Sequence, residues 1–233
     1  MLAIFKREFK SYFSTPIGYI VLAAFYFFLG LNFWDIFSYG APQVEYVISQ
    51  MLTVAVFLLP ILTMRLMSED RRQKVDQALF TAPVKLTSVV LGKFFAAFAV
   101  FAIAFVPTII FEIIILTYVS VNVFTYLYSL LGILLLGSAL IAMGMFISCL
   151  TESSVISAIL TLVINLLTLY MTSLSQIITI EWISKIFEKM AFINMYSNFG
   201  KEYFSLPDVF YFLSITVAFL FLCVRALEKR RWA

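Results

Sequence analysis

Residues 65–85 read RLMSEDRRQKVDQALFTAPVK and form the longest charged interruption in a sequence that is otherwise mostly apolar. Long apolar segments precede and follow this stretch. Of the 233 residues, 63% are hydrophobic and 12% are charged, about half of the charged fraction of an ordinary soluble domain. A soluble globule of this composition would expose large apolar patches and aggregate. The sequence therefore predicts a membrane protein in which residues 65–85 lie in water.

Six apolar segments are long enough to cross the roughly 30 Å hydrocarbon core of a bilayer as helices. We therefore expect an all-α membrane fold in which residues 1–233 form a single transmembrane domain. The predicted spans are residues 17–37, 46–64, 88–118, 124–150, 153–173 and 209–227.

Two further segments have amphipathic patterns. Residues 1–14 place apolar side chains on one helical face and Lys6, Arg7 and Lys10 on another, which predicts a helix in the membrane interface. The alternative is that this segment is simply the start of the first span. Residues 176–207 combine an apolar stripe with a charged face. They predict an amphipathic segment on the outer surface, because they are too charged and too short to cross.

The lysines and arginines are concentrated on one side of the predicted membrane. All 16 except Lys185, Lys189 and Lys201 lie in the N-terminal segment, in residues 65–93 or near the C-terminus. Six spans bring these regions to the same side, which the positive-inside rule identifies as the cytoplasm. We therefore predict a multi-pass protein of the cell membrane with both termini in the cytoplasm.

Within the charged stretch, the pattern predicts a short amphipathic helix over residues 68–82. Ser68 can cap its first turn, where the helix dipole favours acidic residues, and Pro83 ends it. Such a helix could lie in a groove of a soluble partner. The alternative is a solvated loop that only satisfies the positive-inside rule. The candidate docking residues are Glu69, Asp70, Arg71, Arg72, Val75 and Leu79.

The fifth span contains a stripe of hydroxyl and amide side chains at intervals of three and four residues, which places them on one helical face. Such a stripe is unfavourable against lipid, so it indicates a wall of a translocation path or a polar subunit interface. The alternative is hydrogen bonding within the helix and close packing against neighbouring spans. The stripe comprises Ser154, Ser157, Thr161, Asn165, Thr168, Thr172 and Ser175.

Glu112 is an acidic residue inside the third span, where a charge is costly and commonly functional. It lies well past the middle of that span. The position is therefore compatible either with a functional intramembrane acid or with a side chain that reaches the outer headgroups.

The motifs of catalytic and metal sites are missing from the sequence. There is no histidine, and Gly92-Lys93-Phe94 lacks both the upstream glycine and the following Ser or Thr of a phosphate-binding loop. We expect no catalytic residue, metal site or cofactor on this chain, and no binding of nucleic acid. If ATP drives the protein, another chain must bind it.

Four segments resemble permeases of the type-2 ABC exporter family, in particular its gliding-motility-type branch. They are Thr63-Met64-Arg65, Ser68-Glu69-Asp70-Arg71-Arg72, residues 76–84 (DQALFTAPV) and residues 89–94 (VVLGKF). An acidic pair, basic residues, a Leu-containing turn that ends in Thr-Ala-Pro-Val, and Gly-Lys near the start of the third span carry the resemblance. Residues 196–201 and Leu206-Pro207-Asp208 extend it into the last third.

The resemblance implies two six-helix protomers side by side in a bacterial cell membrane. It implies two cytoplasmic ATPase subunits, which bind ATP and Mg and contact the N-terminal helix and the helix between spans two and three. The pathway would lie at the dimer interface of identical or different protomers, lined by spans two and five. An accessory subunit with an extracytoplasmic domain accompanies some members of this branch.

The sequence is compatible with two functions. The first is an exporter permease that opens outward when ATP closes its ATPase subunits. The second is a non-transporting scaffold or mechanotransmitter that acts on an extracytoplasmic partner through residues 176–207. An intramembrane enzyme or an ion-coupled carrier is disfavoured by the missing histidines. The substrate cannot be read from the residues.

Overall fold

The computed structural model describes residues 1–39, 44–74, 85–119, 122–177, 182, 191–199 and 206–231. These residues form helices and contain no strand, so the predicted all-α fold is confirmed. The helices are α1 (Leu2–Ser14), α2 (Pro16–Tyr39), α3 (Val44–Thr63), α4 (Ser68–Arg72), α5 (Leu86–Ala104), α6 (Val106–Leu116), α7 (Val123–Leu150), α8 (Ser154–Ile177), α9 (Phe192–Phe199) and α10 (Leu206–Arg231).

Six segments are long and apolar enough to cross a membrane, as predicted. They are Pro16–Ile36, Val44–Arg72, Leu86–Leu116, Val123–Leu150, Ser154–Ser175 and Leu206–Arg230. Alternating spans bring α1, the residues after α3, the start of α5, the α7–α8 connection and the end of α10 together. We call this end of the bundle the basic end.

Helix α7 forms the centre of the bundle, and it contacts α3, α5, α8, α9 and α10. Its glycines allow these close approaches. A Cβ atom on Gly137 would overlap the ring of Phe101, and one on Gly144 would overlap the side chains of Thr63 and Thr161. Small residues at such positions let helix backbones come together, which is a main source of helix association in membranes.

The third span is two helices rather than the single helix predicted over residues 88–118. Helix α5 ends at Ala104 and α6 begins at Val106. Pro107 explains the break, since it lacks the N–H that would bond to the carbonyl of Ile103. The hydroxyl of Tyr26 donates to that carbonyl at 3.2 Å.

The helix predicted over residues 68–82 is interrupted. Helix α4 ends at Arg72, and Lys74 has a φ of 56°, in the left-handed region that stops a right-handed helix. Residues 75–84 lie outside the described part of the chain. Ser68 is not the cap: Met67 precedes the helix, and the hydroxyl of Ser68 donates to the carbonyl of Met64 instead.

The two amphipathic segments are described to different extents. Helix α1 packs along α2 and α5, with Phe9, Tyr12 and Phe13 against the core, and Lys6 and Lys10 exposed. Its position in the membrane interface stays a prediction. Of residues 176–207, the stretches 178–181, 183–190 and 200–205 lie outside the described residues, and α9 packs against α7, α8 and α10.

Candidate functional site at the basic end

Residues 64–67 form a turn between α3 and α4, where the backbone loses its regular helical hydrogen bonds. Ser148 of α7 replaces several of them. Its hydroxyl oxygen accepts hydrogen bonds from the amides of Met67 at 3.1 Å and Ser68 at 3.0 Å, and it donates to the carbonyl of Met64 at 3.1 Å. The turn is therefore held in place by a side chain from the central helix.

Lys93 of α5 is the key charged residue of this region. Its side chain is 1% exposed, and its ammonium lies 2.7 Å from Asp70 Oδ2 and 3.5 Å from Glu8 Oε1. It also donates to the carbonyl of Leu66, in the turn, at 2.6 Å. A buried ammonium is stable only when it is paired and hydrogen-bonded in this way. Glu8, Asp70 and Lys93, which we call the Lys93 cluster, therefore join α1, α4 and α5.

Tyr12 of α1 makes a second contact between α1 and the end of α3. Its hydroxyl donates to the carbonyl of Leu62 at 2.9 Å. Burial, and then the nearby Glu8 carboxylate, raise the pKa of Tyr12 well above its ordinary value. The hydroxyl therefore keeps its proton and stays a donor. Beside it, a cavity of about 330 Å³ opens between α1 and residues 61–73.

Arg71 connects α4 to the hairpin of α7 and α8. Its guanidinium lies 2.6 Å from Glu152 Oε1 and donates to the carbonyl of Leu150 at 3.1 Å. The last carbonyls of a helix have no partner within the helix, so a guanidinium is a suitable cap. Arg230 of α10 donates to the neighbouring carbonyl of Cys149. Motion of α4 would therefore also move α5 and the α7–α8 hairpin.

The predicted docking residues thus have different environments. Asp70 pairs with the buried Lys93, and Arg71 forms a part-exposed ion pair with Glu152. Glu69 lies 3.7 Å from Arg65 in a part-exposed pair of the kind that contributes little. Arg72 is exposed and makes no ion pair with another described residue. Val75 and Leu79 lie outside the described residues.

Sequence reasoning missed Glu8 and Lys93 as site residues. The available signal was a lysine eight residues into an apolar helix, because such a charge needs a partner. Its partners could not be identified, since they lie 23 and 85 positions away in the sequence.

The central part of the α8 stripe lies inside the protomer. Ser157, Thr161 and Asn165 are fully buried, and α8 packs against α3 and α7. Among the residues that the structure describes, the hydroxyls of Ser157 and Thr161 and both amide atoms of Asn165 have no hydrogen-bond partner. The outward face of α8 is apolar instead, with Ile159 and Val163 exposed. In this conformation the stripe forms internal packing.

The remaining stripe residues have partners. Thr168 and Ser175 donate to carbonyls of their own helix, and Thr172 donates to Asn194 of α9 at 3.2 Å. Ser154 contacts Ser68 at 3.3 Å through their hydroxyls. The side chains at both ends of the stripe therefore make hydrogen bonds, whereas those at its centre make none to the described residues.

Polar residues are exposed on α3, although the pattern of this span did not predict a polar face. Gln50 and Thr53 are exposed on its outward face, with Phe57 one turn further on. At 1.5 Å per residue they lie about 9 and 14 Å from the start of α3 at Val44, well inside a bilayer. A glutamine amide at that depth is unfavourable against lipid and favours another protein surface or water. A threonine hydroxyl can also bond to a carbonyl of its own helix. Helix α3 therefore has the more polar outward face.

Glu112 of α6 is 4% exposed, so its side chain is enclosed by other residues. Among the described residues its Oε1 atom has no hydrogen-bond partner, and the charge of Glu45, in the first turn of α3, acts on its carboxylate. Tyr126 lies nearby and shares a hydrogen bond of 3.0 Å with Thr108. Glu112 is thus a buried acid near the end of the bundle opposite the basic end, and its role as an intramembrane acid stays a prediction.

Comparison with known proteins identifies the family. A family profile described as ABC-2 type transporter matches residues 1–199, which include both the Lys93 cluster and α8. A search of curated proteins found no significant match. The matched range covers most of the chain, and the structure has six helices able to span a membrane. The chain therefore belongs to the ABC-2 type transporter family and is a multi-pass membrane permease subunit of an ABC transporter.

Proposed function

We propose that this permease works in an ATP-driven exporter of the gliding-motility-type branch, in a bacterial cell membrane with both termini in the cytoplasm. ATP and Mg bind to separate cytoplasmic ATPase subunits, and two permease protomers form the membrane part. Family membership supports the pairing with ABC ATPases and the dimer in general. The motifs in residues 63–94 support the branch, and the distribution of basic residues supports the orientation.

The observation that carries the proposal is the connection of α1, α4 and α5 through the Lys93 cluster. The exposed side of this region presents Lys6, Arg65, Arg72, Gln73 and Lys74 to a partner. Its buried side is fixed to α5 by Lys93 and to the α7–α8 hairpin by Arg71. An ATPase that moves the exposed side would therefore move several spans at once.

The pathway is proposed to lie where α3 and α8 meet a second protomer. Gln50 and Thr53 supply polar groups on the outward face of α3. Ser157, Thr161 and Asn165, whose side-chain polar atoms have no hydrogen-bond partner among the described residues, lie on α8 where it packs against α3 and α7, with Thr161 close to Thr63. A state in which these helices separate would hydrate the groups, so the stripe can favour an open conformation. The stripe thus becomes part of the pathway only in that state.

The docking surface is tested with charge-reversal variants in the complex with its ATPase. We expect Arg72→Glu with Lys74→Glu to weaken copurification of the ATPase and to reduce its stimulation by the permease. The matched control is Lys229→Glu, an exposed charge on another helix at the same end. Unchanged assembly and ATPase activity in the double variant would show that the docking surface is elsewhere.

The alternative function is a scaffold or mechanotransmitter that acts on an extracytoplasmic partner. A cysteine at Thr53 distinguishes the two, because Cys149 and Cys223 are buried. In an exporter, the cross-linking of Thr53→Cys between protomers should change with ATP, and locking it should stop transport. Full coupled activity in the cross-linked complex would favour the scaffold.

A further inference from the structure

A groove of about 410 Å³ lies between α5 and α10, away from both the Lys93 cluster and the α8 stripe. Most of its wall is apolar, and its polar groups lie towards the basic end. Its lining includes Leu91, Val217, Phe221, Thr87, Arg225 and Glu228. Its volume falls in the range of roughly 300–1,000 Å³ that is typical of ligand sites.

The groove is apolar along most of its length and charged at one end, like an amphiphilic molecule. Val217 and Phe221 are 64% and 55% exposed, so this part of the surface would face acyl chains. Arg225 and Glu228 follow on α10, one to two turns closer to the basic end, and Thr87 lies in the first turn of α5. An apolar channel that ends in charged groups at the membrane surface fits a lipid in the leaflet at the basic end.

The charged groups restrict which lipid headgroups the groove can bind. Arg225 Nη1 donates to Glu228 Oε2 at 2.7 Å, and the guanidinium lies 5.0 Å from the centre of the Phe221 ring. The arginine side chain is still 62% exposed, and a guanidinium has five N–H donors, so a phosphate can use the others. Glu228 would repel a purely anionic headgroup, but it can accept hydrogen bonds from an ammonium group.

We propose that this groove binds one acyl chain of a zwitterionic aminophospholipid. Its phosphate lies on Arg225 and its primary ammonium lies on Glu228. The site is separate from the proposed transport pathway, and it does not depend on the direction of transport. It makes the contact between α5 and α10 responsive to the lipids of the leaflet at the basic end.

Lipid binding is measured by native mass spectrometry of the full chain with phosphatidylethanolamine and phosphatidylglycerol of identical acyl chains. We expect the wild type to prefer phosphatidylethanolamine. Arg225→Gln should weaken its binding about tenfold, the scale of one lost charge-assisted contact. Glu228→Gln should reduce the preference over phosphatidylglycerol. Lys229→Gln removes the same charge as Arg225→Gln from the same helix end, outside the groove lining, and should change neither property.

Three results would overturn the proposal. Equal or tighter wild-type binding of phosphatidylglycerol would indicate a general anionic site. Equal effects of Arg225→Gln and Lys229→Gln would show that the groove does not select the headgroup. A photoreactive benzoylphenylalanine in place of Phe221 should attach to phospholipid in membranes. If it attaches instead to a second copy of the chain, the groove is a protein interface.

Discussion

The Lys93 cluster and the centre of the α8 stripe are both buried polar groups, but they differ in how their hydrogen bonds are met. Lys93 has a carbonyl and two carboxylates around its ammonium. In the part of the chain that the structure describes, Ser157, Thr161 and Asn165 have no hydrogen-bond partner for their side-chain polar atoms. A fully paired network fixes the geometry of its members, whereas unpartnered buried groups favour any state that hydrates them. We therefore interpret the cluster as a rigid joint and propose that the stripe is the part of the protein that opens.

The largest effect is expected from Lys93→Met. It leaves Asp70 without its buried cation, whereas Glu8 keeps its 2.7 Å pair with Arg7. Breaking a buried pair by removing one partner typically costs about 3–5 kcal/mol. The thermal unfolding temperature of the purified chain should fall markedly, while Lys10→Met at an exposed site should leave it unchanged. Adding Asp70→Asn and Glu8→Gln to Lys93→Met should recover much of the loss. An unchanged unfolding temperature in Lys93→Met would contradict the pairing.

Ser148→Ala should have the next largest effect, about 1–3 kcal/mol, because it leaves the buried amides of Met67 and Ser68 without an acceptor. Ser129→Ala is a matched control on the same helix, since the Ser129 hydroxyl is buried but has no hydrogen-bond partner among the described residues. The unfolding temperatures of the two variants should therefore separate clearly. Similar values would mean that Ser148 does not hold the turn.

Arg71→Gln should destabilise the protein by about 1 kcal/mol or less, because its partner Glu152 is 65% exposed and solvent screens the pair. Its main effect should be on coupling, which is measured as stimulation of the ATPase by the permease. Arg65→Gln, in the looser pair with Glu69, is the control for stability. A loss of stability as large as that of Lys93→Met would show that the joint is centred on Arg71.

The smallest effect on stability is expected in the stripe. Thr161→Val and Asn165→Leu remove polar atoms that make no hydrogen bond to any described residue, so the unfolding temperature should stay the same or rise. The same variants should impair ATP-dependent opening, because the open state would lose its hydrated groups. A marked destabilisation would instead show that these side chains are already hydrogen-bonded, and would remove the contrast with the Lys93 cluster.

The sequence predicts the spans well because the bilayer imposes length and hydrophobicity on each helix separately. It also contains the break in the third span, since Pro107 interrupts that segment. The turn between α3 and α4 could not be predicted in the same way. Residues 64–67 include neither proline nor glycine, and the turn is defined by Lys93 and Ser148 from distant helices. Likewise, the period of the α8 stripe identifies a shared face, but the direction of that face depends on where α3 and α7 pack.

Coupling between the basic end and the proposed pathway is expected to run through the Lys93 cluster. It is tested most directly by the distance between spin labels on Thr53→Cys in the two protomers, measured by pulsed electron paramagnetic resonance with and without trapped ATP. The reference is the otherwise wild-type complex, and the test background carries Lys93→Met, Asp70→Asn and Glu8→Gln. We predict that ATP shifts the distance distribution in the reference and fails to shift it in the triple variant, although the ATPase still binds. An equal shift in both would contradict the account.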